Sequence, residues 1–369
     1  MKIDNPKVTL DDEARTGFKE KVQSGFLDWL HQFSLTGDDG ELYSVGGSIL
    51  SMQLENMDIV SITVAKGRGG ERQLPNSIYK VCEYPGMLHE RMFRHPAGTL
   101  KIERFPDRVE VSCGPQYSVQ CFADNTWHLR LDTMDGIYKA DLWHRPHYAP
   151  LWYGRETPSY LTQHSITYGY NWAGDVDGEI VLNGKAVKVK GLGIRERYVA
   201  VDSCAAEIGG WEDWGWIAFN EMHMSMYEMR LGMKDFSLYD LVSGKYCPEG
   251  KLTISHSDWT FLRELGGFIP ATYNVNVEVE EGIYALEAHV CNATTWGATH
   301  KVPDNPVATL TFDKVTGSFT SKDGSVRTLT GGRGTMSIRE WHPYPNILPA
   351  ELYFDSEGEA ACDNKFATL

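Results

Sequence analysis

Residues 181–197 read VLNGKAVKVKGLGIRER, and this stretch decides the architecture. Apolar and polar residues alternate through Val187, Lys188, Val189 and Lys190, the period of a strand with one face on a core and one in water. Asn183-Gly184 just upstream is a dipeptide that accepts the positive backbone angles of a tight hairpin turn. On the strand that follows, Arg195 and Arg197 point to one face and Glu196 to the other. Either the arginines or the glutamate therefore look into a barrel interior, but not both.

The same grammar extends outward. TYNVNVEVEEGIYALEAHV (272–290) repeats the period of two, and Asp135-Gly136, Asp177-Gly178 and Asp323-Gly324 punctuate other short runs rich in Val, Ile, Thr, Tyr and Trp. The reading is all-β and antiparallel: two tandem lipocalin-like barrels or sandwiches with a short N-terminal helix. In FKEKVQSGFLDWLHQF, Phe18, Val22, Phe26, Leu27, Leu30 and Phe33 recur near helical spacing, which predicts a helix within 10–35. The expected division is an N-terminal helical segment (1–35), a first β domain (36–185) and a second (186–369), with Asp175–Gly178 near the junction.

Composition narrows the function. The 369 residues exceed what a single core usually serves, and 42% hydrophobic with 23% charged residues is ordinary for a soluble globular protein. No run is long and apolar enough for a membrane helix. A net charge of −15 with dispersed Lys and Arg argues against nucleic acid as a partner. The opening MKIDNPKVTLDDEARTGFKEK carries acidic residues and no apolar block, so a cytoplasmic protein is expected. Seven cysteines without a close CxxC pair read as reduced thiols.

Candidate chemistry gathers in the middle of the chain. Glu196, desolvated among aromatics, would have a raised pKa and serve as general acid or base, whereas inward-facing Arg195 and Arg197 would need a carboxylate and could polarise a substrate oxygen. Trp214 and Trp216, two apart, share a strand face and build an apolar wall, and Tyr198 is a further substrate-binding candidate. In EMHMSMYEMR (221–230), Met224 and its alternating neighbours can line an adaptable cavity, with His223 on the opposite face as a further acid–base candidate. The proline-containing stretch 142–165 adds Trp152, Tyr153 and His164 to the substrate-binding candidates. Pro146 spoils His144 and His147 as a helical ligand pair, and zinc patterns, Walker loops, dinucleotide fingerprints and nucleophile elbows are absent, so neither metal nor cofactor is expected.

The stretch YGRETPSYLTQHSITYGYNWAGDVDGEIVLNGKAVKVKGLGIRER with the following WEDWGWIAFN resembles the carotenoid 1,2-hydratase-like, tocopherol-cyclase-like and AttH-like group of tandem lipocalin-like barrels. The resemblance implies acid–base chemistry on an apolar, partly oxygenated small molecule such as an isoprenoid or polyketide. In that group the segment after the glycines reads G-x-x-x-Asp-His, and the two residues do acid–base work. This chain has Glu196 and Arg197 there; Glu replaces Asp as a proton donor, but Arg cannot give up its proton. Two functions are therefore open: a cofactor-independent lyase or isomerase of hydratase, cyclase or isomerase type, and a non-catalytic carrier of apolar ligands. A homodimer is left open.

Overall fold

A computed structural model describes residues 7–16, 24–52, 56–68, 87–147, 149–160, 166–201, 211–229, 234–247, 249–262, 267–296 and 307–339. Apart from one short helix, α1 (Leu10–Glu13), its regular elements are strands. The first twelve are β1 (Ser24–Gly37), β2 (Glu41–Met52), β3 (Met57–Arg68), β4 (Met87–Pro96), β5 (Leu100–Arg104), β6 (Arg108–Cys113), β7 (Tyr117–Phe122), β8 (Trp127–Asp132), β9 (Tyr138–Pro146), β10 (Leu151–Tyr160), β11 (Ile166–Leu182) and β12 (Lys185–Val201). They form one antiparallel sheet in the order β4-β3-β2-β1-β12-β11-β9-β8-β7-β6-β5, with β10 on β11.

The second sheet holds β13 (Trp211–Ala218), β14 (Met222–Met229), β15 (Lys234–Asp240), β16 (Lys245–Cys247), β17 (Lys251–Leu262), β18 (Gly267–Val279), β19 (Gly282–His289), β20 (Asn292–Trp296), β21 (Val307–Ser321) and β22 (Val326–Arg339). Its order is β16-β15-β14-β13-β22-β21-β19-β18-β17, with β20 on β21. Each sheet curls until distant strands approach, β3 toward β6 in the first and β15 toward β17 in the second. The all-β, two-barrel expectation holds. Among the described residues no helix is long and apolar enough to cross a membrane.

Three sequence expectations change. The helix expected within 10–35 is mostly strand: only Leu10–Glu13 is helical, β1 occupies Ser24–Gly37, and 17–23 lie outside the described residues. Leu27, Trp29, Phe33 and Leu35 point into the first barrel, whereas Gln32 on the other face bonds the second sheet. A strand buried on both faces reads as a near-continuous apolar run, which imitates helical spacing. Sheet membership also divides elsewhere than at residue 186, because β12 pairs with β1 and β11 in the first sheet. The Asn183-Gly184 turn, with φ of 50° and 78°, folds the chain back onto the same sheet rather than into a new domain.

Asp177-Gly178, the third, is no turn but lies inside β11, where Gly178 (φ 152°) lets the backbone approach the Asp141 carbonyl of β9. Asp135-Gly136 and Asp323-Gly324 do sit at hairpin ends, between β8 and β9 and between β21 and β22.

Interiors of the two barrels differ in kind. The second is filled mainly by apolar residues, Met222, Met224, Met226, Leu238, Ile269, Val275 and Phe312, with an Asp240–Tyr284–Arg327 cluster at one edge. The first contains aromatic residues together with buried His31, His144, Arg195 and Arg197. Four described cysteines, Cys113, Cys121, Cys247 and Cys291, are buried thiols outside any disulfide.

Candidate active site between the two sheets

β12 settles which way its charges face. Arg195 and Arg197 enter the first barrel and are fully buried. Arg195 Nη2 donates to Glu13 Oε2 at 2.8 Å, and its Nη1 to the Glu196 and Leu30 carbonyls. Glu13 Oε1 also accepts from Trp127 Nε1 (2.7 Å) and from the Tyr170 hydroxyl. Burial alone would raise the Glu13 pKa, yet Arg195 and these donors hold it below the usual carboxylate value. Arg197 donates to the Asp28 and Tyr198 carbonyls at 2.8 and 2.7 Å and stacks over the Trp29 ring at 3.6 Å from its centroid. Both arginines are thus held by protein groups inside the barrel, on the face of β12 opposite the one that carries the Glu196 side chain.

Glu196 points the other way, and strand register identifies its neighbours. Side chains directly opposite across a ladder share a face. Glu196 stands opposite Leu30 of β1 and Asn171 of β11; Tyr198 stands opposite Asp28. Gln32, two and four residues on from Leu30 and Asp28, reaches the second sheet: Thr335 Oγ1 donates to its Oε1 (2.7 Å), and its Nε2 donates to Ser337 Oγ (3.3 Å). Ser44 and Thr311 add a hydroxyl pair at 2.6 Å, and Arg333 reaches the Ser34 carbonyl at 3.2 Å. This face of β1, β12 and β11 therefore looks across at β22 and β13.

From the second sheet, Trp216 stands opposite Thr335 and Ser225, Trp214 opposite Ser337, and Ala218 opposite His223. Trp216 and Ala218 pack with Ala173 and Ile194 of the first sheet, flanked by Leu192 and Trp214. The inter-sheet layer is thus a tryptophan-walled apolar seam with a polar row at the level of Glu196, Asn171, Asp28 and Tyr198.

That row holds unused hydrogen-bonding capacity. Asn171 is fully buried, and neither end of its amide has a partner among the described residues. Asp28 Oδ1, Trp216 Nε1 and His223 Nε2 are likewise buried and unpartnered. Such groups cost about 1–3 kcal/mol each, so their clustering on one face marks a place that handles polar atoms. Burial pushes the Asp28 carboxyl up to about 7, against the pull of Arg195 and Arg197 through the sheet and of the Trp29 backbone N–H. His223 is driven down to about 3 by burial and the nearby His147, so it is neutral at pH 7.

The structure thus places Glu196, Tyr198, Trp214, Trp216 and His223 on the facing surfaces of the two sheets, and it places Met224 and Trp152 inside the barrels. Met224 lies in the core of the second barrel. Trp152 lies in the first, against Tyr168 and Tyr170. Tyr153 belongs to β10, and His164 falls outside the described residues. Sequence reading missed Asp28, Asn171 and Glu13. The available signal was a polar residue amid large apolar ones, Leu-Asp-Trp at 27–29 and Tyr-Asn-Trp at 170–172. Among the described residues, no three His, Cys, Asp or Glu side chains converge as metal ligands.

No family model matches this sequence, and no curated protein matches it. Solved structures do. An AttH-like protein from Nitrosomonas europaea superposes with a TM-score of 0.60 at 12% identity, covering 92% of this chain and 99% of that one. CghA with Sch210972 gives 0.57 at 11% identity over 88% and 94%. Kievitone hydratase from Nectria haematococca gives 0.56 at 11% identity over 90% and 96%. The chain has the tandem lipocalin-like barrel fold of these proteins.

Proposed function

We propose that this protein is a lyase or isomerase of hydratase, cyclase or isomerase type, working by acid–base chemistry without a cofactor on an apolar, partly oxygenated small molecule such as an isoprenoid or polyketide. The observation that carries the reading is the buried, wholly unpartnered Asn171 amide directly opposite Glu196 on a tryptophan-walled face. Asn171 would orient a substrate oxygen. Glu196 and Asp28 would exchange protons with it, Asp28 being suited to both directions because its pKa lies near neutral. Trp214 and Trp216 would exclude water and face developing positive charge with their π-systems. Two fold neighbours are consistent with this: one is named as a hydratase, and another was solved with an organic ligand, Sch210972.

The test is turnover of a panel of apolar, oxygenated isoprenoids and polyketides, followed by mass and retention analysis of the recovered compounds. Expected is a compound gaining or losing water, or rearranging at constant mass. Glu196→Gln should lower that rate at least ~100-fold while the fold persists. Saturable quenching of tryptophan by compounds that are always recovered unchanged would identify a carrier instead.

A further inference from the structure

The interior of the first barrel carries a second recognition site, on the face of β12 opposite the inter-sheet row. Its occupant is the chain's own N-terminal segment, 7–16. Thr9 caps the single turn of α1 in a reciprocal capping box with Asp12, and Val8, Asp12, Glu13 and Ala14 are buried in the barrel. The barrel grips this segment through donors: Arg195, Trp127 and Tyr170 to the Glu13 carboxylate, Trp29 and Arg197 to the Glu13 carbonyl, Tyr168 to Asp12, and Asn125 to the Val8 carbonyl at 2.7 Å. These bonds all run one way, from barrel donors to segment acceptors.

One buried arginine, Arg195, with an indole N–H and a phenol around one carboxylate constitutes a built oxyanion site, and Arg197 holds the backbone beside it. At Thr16 a cavity of about 550 Å³ opens, lined by Leu27, Met57, Leu100 and Ile102 and, on its polar side, by Ser51, Asn56 and Asp58. A tail has room there against Leu27, Met57, Leu100 and Ile102, at a point three residues along the segment from Glu13. Deeper along the same strands, His31 Nε2, both nitrogens of His144 and Arg195 Nε are buried without partners, so the polar lining continues past the Glu13 carboxylate.

We propose that the first barrel binds a carboxylate-bearing apolar molecule, whose carboxylate takes the place of Glu13 on Arg195, Trp127 and Tyr170 while its tail fills the Thr16–Leu100 cavity. The N-terminal segment is then a tethered competitor that lowers the apparent affinity by the fraction of time it occupies the site. The assignment is independent of the inter-sheet reading.

Dodecanoate is the probe, titrated by tryptophan fluorescence into the full chain and its Glu13→Ala variant, with dodecanol as the uncharged match. Removal of the competing carboxylate should tighten dodecanoate binding at least ~10-fold and leave dodecanol unimproved. Saturating dodecanoate should also speed tryptic cleavage after Arg15 in the unaltered protein, because the segment leaves the barrel. Equal dodecanoate affinity in the two proteins, an equal gain for dodecanol, or absence of binding would overturn the proposal. If Glu13→Ala does not fold by circular dichroism, the isosteric Glu13→Gln is held to the same criterion. Loss of dodecanoate binding in Glu196→Gln would place the probe between the sheets and overturn it as well.

Discussion

Glu13 and Asp28 are both buried carboxylates near the same two arginines, yet they lie on opposite sides of one sheet and their pKa values move in opposite directions. Glu13, inside the first barrel, is met by a guanidinium, an indole and a phenol and stays ionised. Asp28, on the inter-sheet side, keeps one oxygen without a partner and holds its proton up to about 7. The same burial is offset on one side and uncompensated on the other. What separates a structural ion pair from a candidate reactive group here is the direction of the neighbouring donors rather than charge or depth.

The comparison breaks most visibly at Arg195. Arg195→Ala strands the Glu13 carboxylate in a dry interior and should cost about 3–5 kcal/mol in urea unfolding. The double substitution Glu13→Leu with Arg195→Met should recover most of that loss, since an apolar pair of similar volume replaces a desolvated ion pair at little net cost. A double variant as unstable as the single one would mean that Glu13 is not the dominant partner.

Asp28 should show its difference through pH. An unfolded aspartate releases its proton near ~3.9, whereas the folded one holds it to about 7. The native state therefore binds the extra proton between these values, and stability contributed by protonated Asp28 is full below the first and lost as pH rises through the second. Relative to Asp28→Asn, the unaltered protein should lose on the order of 3 kcal/mol between pH 4 and 7. Glu13 works in reverse: its contribution is present above the ordinary glutamate value and is lost on acidification. Parallel stability–pH profiles for the unaltered protein and Asp28→Asn would remove Asp28 from the account.

The smallest effect concerns the seam itself. Gln32→Leu removes the bonds to Thr335 and Ser337 and strands the buried Thr335 hydroxyl, while Ser337 keeps its bond to Thr309, which should cost about 1–2 kcal/mol in thermal unfolding. If the loss is negligible, the polar zipper does not hold the sheets together and the tryptophan packing carries the interface.

Much of this was legible in the chain. Alternation at 187–190 and 272–290 and the Asn183-Gly184 dipeptide specify strands and turns locally, because side-chain period and backbone sign are properties of neighbouring residues. The opposite facing of Glu196 and its flanking arginines also followed from the pleat. Three features resisted such reading. β1 imitated a helix because both its faces are covered, Asp177-Gly178 imitated a turn although its glycine serves a close backbone approach, and the carboxylate that the inward Arg195 required stood some 180 residues away in sequence, at Glu13.

By itself, then, the sequence determined the period, the turns and the rule that Glu196 and the arginines part company. Only the tertiary structure decided which barrel β12 completes, which face the second sheet covers, and that Glu13 occupies the arginines while Asn171 and Asp28 keep unused hydrogen-bonding atoms. The physical reason is that periodicity is encoded between neighbours, whereas desolvation and charge compensation depend on what packs across a sheet from segments far apart in the chain.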